Sequence, residues 1–424
     1  MPEQIVRGPL LIPREDGSVV YHADGVLAAN ADGMIEFAGA FEETKGVRPL
    51  LFRRSDGVML PPLLDVHTHV PQHPIRGRFV EGVPDDAPGG KLLAGLARNV
   101  FPAEAKCATA ECAEKVVRQF LADTLAHGVV GGAVYMTVSA QATEIALSIL
   151  PDTWSVGLVL MNQNCPDYLR TNEALLEADV EGLAKKFGRR LIVTDRFAVA
   201  VDSPLRRQGV RLAARFGLRT QTHLNEQTTE KQLVEQKLYP HQASYTDVYQ
   251  QDGLLDHDCI AAHCIHMRHD EWPMLRDSHS AIAHCPTSNL LLGSGVMDLA
   301  AVLERKIPYA IATDVGASPT VSMLAEMGRF LQVHRQTSNG ATAVEALYRA
   351  TRAPANILGL ARQLGRLEPG MPMSFIEVGF DGSHTSAESV IRSLIPTDLD
   401  HPAATVNRVT LAGKTVHQRS GPHA

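Results

Sequence analysis

The segment Asp65-Val-His-Thr-His69 ends an apolar run with His67 and His69 one residue apart. In a strand, residues i and i+2 point to the same side. The two imidazoles therefore project together, as two neutral nitrogen ligands for one metal ion would. Four further apolar runs close in the same way. "RTQTHLNE" ends on His223, with Glu226 three residues on, "CIAAHC" on His263, "SAIAHCPTSN" on His284 and "YAIATDVG" on Asp314. A lone histidine at a strand end is usually a hydrogen-bonded framework residue, and an Asp before Val-Gly reads as a turn. Recurrence at the same end of successive runs points instead to a shared ion. Four nitrogen or oxygen ligands with one position left for water is the donor set of a hydrolytic Zn²⁺. Fe²⁺ and Mn²⁺ accept the same ligand types.

Such residues meet only if the runs carrying them are strands of one sheet. Apolar, β-rich runs lie near 63–69, 129–137, 156–161, 191–199, 219–224, 259–265, 280–285 and 308–314, with helix-like stretches between most of them. "TAECAEKVVRQFLADTLAHG" opens on Thr109 as an N-cap, places Ala113, Val117, Phe120 and Thr124 on one stripe, and stops at Gly128. "SPLRRQGVRLAARFG" and "DLAAVLERK" follow the same pattern. The alternation predicts an α/β fold, a (β/α)₈ barrel over residues 61–370, whose catalytic groups sit at the C-terminal ends of the strands. An open, doubly wound sheet is the alternative, because periodicity alone cannot close a barrel. Residues 1–60 and 371–424 read as short β segments ("QIVRG", "GSVVYH", "GVLAAN", "MIEFAG"; "MSFIEVG", "VNRVTLAGKTVH"). Two β-rich ends bracketing the barrel predict one small β domain built from both termini. "AGKT" at 412–415 imitates the end of a phosphate-binding loop, but Arg408 stands where its first glycine belongs, so it reads as a turn between strands.

The net charge of −7 argues against a nucleic-acid-coating surface. No apolar run approaches the ~18 residues of a membrane span, and the N-terminal stretch lacks the basic and apolar regions of a secretory signal. None of the six cysteines forms a C-x-x-C pair, so a reducing cytoplasm is expected. Cys264 and Cys285 each follow a histidine and read as buried apolar filler rather than ligands.

In chain order, "DVHTH", "THLNE", "AHC", "HCPTSNLLLGSG" and "ATDVG" resemble the motifs of the metal-dependent amidohydrolase superfamily, in its aminohydrolase branch. Shorter features resemble the guanine deaminases within it: Gln72 three residues after His69, "TDRF" at 194–197, Phe101 to Glu104 as "FPAE", and "LYP" before "YTDVY". The resemblance spans about residues 60–365. It implies a distorted (β/α)₈ barrel with a small β-sandwich from both chain ends, in agreement with the reading above. Departures from the family pattern are Asp195, where Pro is usual, the middle of loop 73–92, which the resemblance implies is part of the substrate pocket, the "GASPTVS" segment after strand eight, and "MPMSFIEVG", which lacks the usual Ala-Asp.

Carried over position by position, the resemblance implies one Zn²⁺ held by His67, His69, His223 and Asp314. His263 lies at the edge of the coordination sphere or against the water. Asp314 accepts that water's proton, and Glu226 carries a proton to a ring nitrogen and then to the leaving amine. Gln72, Arg196 and Phe197 read the heterocycle, beside His223 and Glu226. His284 and Asn289 stabilise the loop after strand seven, and His73, His266 and His269 are wall or surface residues. The implied reaction is hydrolysis of guanine to xanthine and ammonia. The partners are a small heterocycle and water, with no nucleic acid and no membrane; homodimers occur in the family. The residues leave other substrates open: a pterin, an oxidised purine, cytosine or a triazine. A cyclic-amide hydrolase with two metals bridged by a carboxylated lysine is disfavoured, because strand four offers Thr194-Asp195-Arg196 and no lysine. A non-enzymatic descendant would be expected to have lost ligands. "HDE" at 269–271 imitates the smaller zinc nucleoside deaminases, but no Pro-Cys-x-x-Cys accompanies it.

Overall fold

Eight parallel strands follow one another in sheet order as they do in sequence: Leu63–His69, Val129–Tyr135, Trp154–Leu160, Leu191–Asp195, Arg219–Leu224, Cys259–His263, Ala281–His284 and Tyr309–Ile311. The computed structural model of the chain describes residues 4–44, 52–335 and 340–419. A helix follows each strand: Ala110–Ala126, Ala140–Ile149, Leu176–Phe187, Ser203–Phe216, Tyr245–Gln251, Trp272–Ser278, Leu299–Glu304 and Met323–His334. The sheet closes on itself. Asp314 N donates to His67 O (2.9 Å) and His69 N to Val315 O (2.6 Å), so the segment after the last strand pairs with the first. These bonds decide for the barrel over the open sheet. Val66, Ala133, Ile192, Ile260, Ala262, Ala283 and Ala310 pack into one buried cluster drawn from six different strands. The barrel is a filled core, as such barrels are. Among the described residues no helix is long and apolar enough to cross a membrane.

Local chemistry accounts for the helices. Ala110–Ala126 buries Ala113, Val116, Val117, Phe120 and Thr124, the predicted stripe with Val116 added. Thr109 precedes it with extended backbone, but its hydroxyl turns back to donate to Lys106 O (3.0 Å) and caps nothing ahead of it. Ser203–Phe216 has a true cap, Asp202 accepting from Leu205 N, and stops at Gly217 with φ +62°. The fourth strand is shorter than its apolar run suggests. It ends at Asp195 because Ala198 N donates to Tyr249 Oη (2.9 Å) rather than to a neighbouring strand, and the chain turns there.

The ends meet as predicted. Gln4–Pro13, Val19–Ala29, Ile35–Ala40, Arg53–Arg54 and Val58–Leu60 share a sheet with Phe375–Val378, Val406–Leu411 and Lys414–Gln418. The join is antiparallel pairing of Val58–Leu60 with Phe375–Val378. This sheet has a separate core of Val6, Leu10, Ile12, Leu27, Met59, Met371, Met373 and Phe375. The predicted end-domain residues 1–3, 45–51 and 420–424 lie outside the described residues. "AGKT" is a hairpin turn: Leu411 pairs with Lys414, and both Ala412 (φ +46°) and Gly413 (φ +77°) are left-handed, as a tight hairpin requires. The tail also holds a helix, Ala387–Leu394, that its β-like pattern does not announce. Its Glu388 accepts from Ala343 N and Val344 N, both at 3.1 Å, and so caps the helix Ala343–Ala350 from outside.

Asp195, the departure from the family's proline, is structural. Its carboxylate accepts from Arg206 Nε (2.8 Å) and Thr222 Oγ1 (3.0 Å), while Arg206 also donates to Asp252 Oδ2 (2.7 Å) and Val201 O (2.7 Å). Arg206 is 1 % exposed. Removing one member of such a buried network leaves uncompensated charge. Arg206→Met should therefore lower unfolding free energy by about 3–5 kcal/mol, read by denaturant titration. A loss below about 1 kcal/mol would show that the two carboxylates find other partners.

Candidate metal centre and active site

At the C-terminal mouth of the barrel, the first, fifth and eighth strands deliver His67, His69, His223 and Asp314. One ligand atom from each lies within 4.8 Å of all the others, and all four residues are buried. Asp314 Oδ1 is 3.3 Å from His67 Nε2 and 3.2 Å from His69 Nε2, and the Nε2 atoms of His223 and His69 are 3.3 Å apart. His223 donates its Nδ1–H to the Arg196 carbonyl (2.7 Å), which leaves Nε2 as a lone pair facing the others. Burial drives the imidazoles towards the neutral form. It lowers His67, takes His69 down to about 3 with the help of the Arg196 charge, and holds His223 well below the usual value. Burial opposes ionisation of Asp314, but the facing His67 and His69 outweigh it and hold the carboxyl well below its ordinary range. Unprotonated nitrogens at 3.3 Å repel one another, and His67 Nε2 makes no hydrogen bond. Three lone pairs and a carboxylate turned to one point fit a divalent cation.

The supports for these ligands come from barrel closure. Asp65, two residues before His67, accepts from His67 N (3.2 Å), from Thr313 N (3.1 Å) and from the Thr313 hydroxyl. It thereby ties the first strand to the residue before Asp314. Burial pushes its carboxyl up to about 7 against those bonds. Asp314 stands in the left-handed region (φ +53°), and its Oδ2 accepts from Ser288 Oγ (2.6 Å) in the loop after strand seven. Gly316 is required where it stands, because a Cβ there would come within 2.8 Å of Gln72 Cβ.

His263 stands beside this group. Its Nδ1 lies 2.9 Å from Asn289 Oδ1, and its Nε2 lies 3.5 Å from Glu226 Oε2. Asn289 thus orients an imidazole as well as bracing its loop. Glu226 is buried, not a solvated charge. Burial, aided by the nearby Asp314 carboxylate, pushes it up to about 8, while Ser294 Oγ donates to it at 3.3 Å.

A cavity opens over these groups, lined by His69, His223, Asp314 and Glu226 on one side, Arg196 and Phe197 on another, and Phe79, Leu92, Leu96 and Leu292 above. Arg196 and Phe197 line it as predicted. Arg196 does not pair with Asp195; its Nη2 donates to Glu104 Oε1 (3.3 Å), and its Nη1 lies 3.4 Å from His223 Nε2. Gln72 is buried and donates from Nε2 to the same Glu104 oxygen (3.1 Å). Burial raises Glu104 against the pull of Arg196 and Gln72.

Sequence reasoning gave no role to Glu104, Asp65, Ser288 or Ser294; of the apolar roof, Phe79 and Leu92 belong to loop 73–92, expected at the pocket, whereas Leu96 and Leu292 were not singled out. "FPAE" and the Asp two residues before His67 were visible, but their partners are remote in sequence. The remaining histidines lie away from the metal group. His73 pairs with Asp123 (3.0 Å), His266 donates to Ser294 O (2.8 Å), and His284 packs on Phe330 and His334. His269 is exposed. Glu271 of "HDE" is a buried brace, accepting from Lys231 (2.9 Å), Asn225 (3.1 Å) and Thr246 (2.8 Å). Cys264 and Cys285 are buried filler.

The amidohydrolase family pattern matches residues 58–416. The guanine deaminase of Escherichia coli (strain K12) is 32 % identical over 375 residues, covering 86 % of this chain and 83 % of that protein. The guanine deaminase of Rattus norvegicus is 30 % identical over 328 residues, 73 % of this chain and 70 % of that one. The solved E. coli guanine deaminase superposes with a TM-score of 0.86 at 26 % identity, covering 98 % of this chain and 99 % of its own. Family pattern, relatives and superposition agree with the metal group and the cavity above it: the chain belongs to the amidohydrolase family, among its guanine deaminase-like members.

Proposed function

We propose that this protein hydrolyses guanine to xanthine and ammonia. The observation that carries the reading is one buried cavity with a His₃Asp metal group and the buried Glu226 carboxyl on one wall and the Arg196 guanidinium on another. The relatives named guanine deaminase support the choice of heterocycle. Zinc is the ion we assign to His67, His69, His223 and Asp314, since imidazole nitrogens and a carboxylate oxygen are donors that zinc takes. Such an ion supplies a Lewis acid that brings the pKa of water towards neutrality.

The chain's own groups then divide the work. Asp314, held as a carboxylate, accepts the proton released by the attacking water. Glu226 gives its proton to a ring nitrogen as the amidine carbon bearing the amino group becomes tetrahedral. Glu226, now a carboxylate, takes up the proton of the new hydroxyl as the carbonyl forms and passes it to the amine, which leaves as ammonia; the proton held by Asp314 then returns to Glu226. His263, oriented by Asn289, presents Nε2 beside Glu226. Arg196 donates to the carbonyl edge of the ring, and Phe197 offers an apolar face. Phe79, Leu92, Leu96 and Leu292 exclude water and so strengthen each of these interactions. The six cysteines are all unpaired, which suits a reducing compartment such as the cytoplasm.

Three measurements test this. Elemental analysis should find about one divalent ion per chain, and His67→Ala or Asp314→Ala should lose it; undiminished metal in either variant contradicts the ligand assignment. Glu226→Gln should keep metal and fold while kcat drops by roughly 10²–10⁴; a drop under tenfold removes Glu226 from the proton path. In an ammonia-release panel, guanine should exceed adenine, cytosine, isoxanthopterin and 8-oxoguanine in kcat/KM. A pterin or triazine outrunning guanine would overturn the substrate but leave the metal chemistry standing.

A further inference from the structure

Glu104 sits on the short helix Phe101–Cys107, 2 % exposed, outside the metal group and the proton path. A single oxygen, Oε1, accepts from both Gln72 Nε2 (3.1 Å) and Arg196 Nη2 (3.3 Å). Burial raises this carboxyl and the Arg196 guanidinium opposes that rise; Oε1 itself serves both neighbours as an acceptor. Two consequences follow for the groups it holds. Gln72 must turn its amide nitrogen towards Glu104, which leaves its Oε1 buried and without a partner. Arg196 must spend Nη2 on Glu104, which leaves Nε without a partner and directs Nη1 towards the metal-side histidine. Without the carboxylate, a buried guanidinium would stand uncompensated next to the metal ligands.

We propose that Glu104 is the positioning residue for substrate selection. It fixes Arg196 as an oriented donor at the cavity wall and Gln72 as an acceptor. Together they match a ring edge that carries a carbonyl next to an N–H, and they mismatch one that carries an amino group next to a bare ring nitrogen. The proposal rests on the guanine reading above. Its discriminating pair is guanine and 2,6-diaminopurine. Both bear the same 2-amino leaving group, but they present opposite donor and acceptor patterns at the neighbouring positions.

The test measures kcat/KM for both purines in wild type, Glu104→Gln and Glu104→Leu, with metal content and melting temperature recorded alongside. Glu104→Gln keeps the shape and replaces charge-assisted bonds with neutral ones. It should lower kcat/KM for guanine about tenfold, mainly through KM, with 2,6-diaminopurine within about threefold of wild type. Glu104→Leu, which removes the acceptor, should lower the guanine preference further. A merely structural role would depress both purines equally and leave the ratio unchanged. If Glu104→Gln is folded and metal-loaded but keeps the wild-type ratio within threefold, Glu104 does not set selection. Wild type inactive on guanine would instead overturn the guanine reading and this proposal with it.

Discussion

Barrel closure is the contact on which the rest of this protein depends. The bonds that join the last strand to the first run between the residues that carry the metal group: Asp314 N to His67 O, His69 N to Val315 O, and Thr313 to Asp65. Closing the sheet and assembling the ligands are therefore one event. A barrel left open would separate Asp314 from His67 and His69, and His223 alone would hold no ion. The sequence separation of 248 between Asp65 and Thr313 is bridged by the alternation of strand and helix. Each crossover advances the sheet by one strand in the same rotational sense.

Desolvation shapes the chemistry that closure makes possible. The same burial acts in opposite directions on the two kinds of titratable group. Imidazoles are driven towards the neutral, ligating form, and Glu226 is driven towards the protonated, donating form. Asp314 escapes the trend because His67 and His69 face it and hold its carboxyl well below the ordinary range. One dry pocket thus holds two carboxyl groups shifted in opposite directions. The distinction comes from their neighbours and not from their residue types. Arg196 would disturb this balance if unpaired, since its charge depresses the basicity of His69 and His223. Glu104 supplies Arg196 with an acceptor from a separate helix.

Asp195 illustrates how a departure from a family pattern can leave a site intact. Strand alternation turns Asp195 and Arg196 to opposite sides. Asp195 faces Arg206 on the outer helix, whereas Arg196 faces the cavity. The substitution is absorbed by the packing behind the strand, with Thr222 and Tyr249 completing its hydrogen bonds.

Much of the site is legible in the sequence because its signals are local. His67 and His69 share a strand face by their spacing. His223, His263, His284 and Asp314 each end an apolar run, and the runs themselves announce strands. The (β/α)₈ order, the shared terminal sheet and the hairpin at Ala412-Gly413 follow from periodicity and turn chemistry within a few residues. Distant partners carry no such signal. Nothing in "FPAE" says that Glu104 will meet Gln72 and Arg196, 32 and 92 residues away. Nor does "DVHTH" say that Asp65 will clamp Thr313, or "TSNLLLGSG" that Ser288 and Ser294 will serve Asp314 and Glu226. The chain alone determined which side chains could bind a metal and move protons. Only the tertiary structure decided which of them converge, which imidazole tautomer each uses and which carboxyl keeps its proton. Those choices depend on through-space neighbours and on the exclusion of water, and both exist only once the barrel has closed.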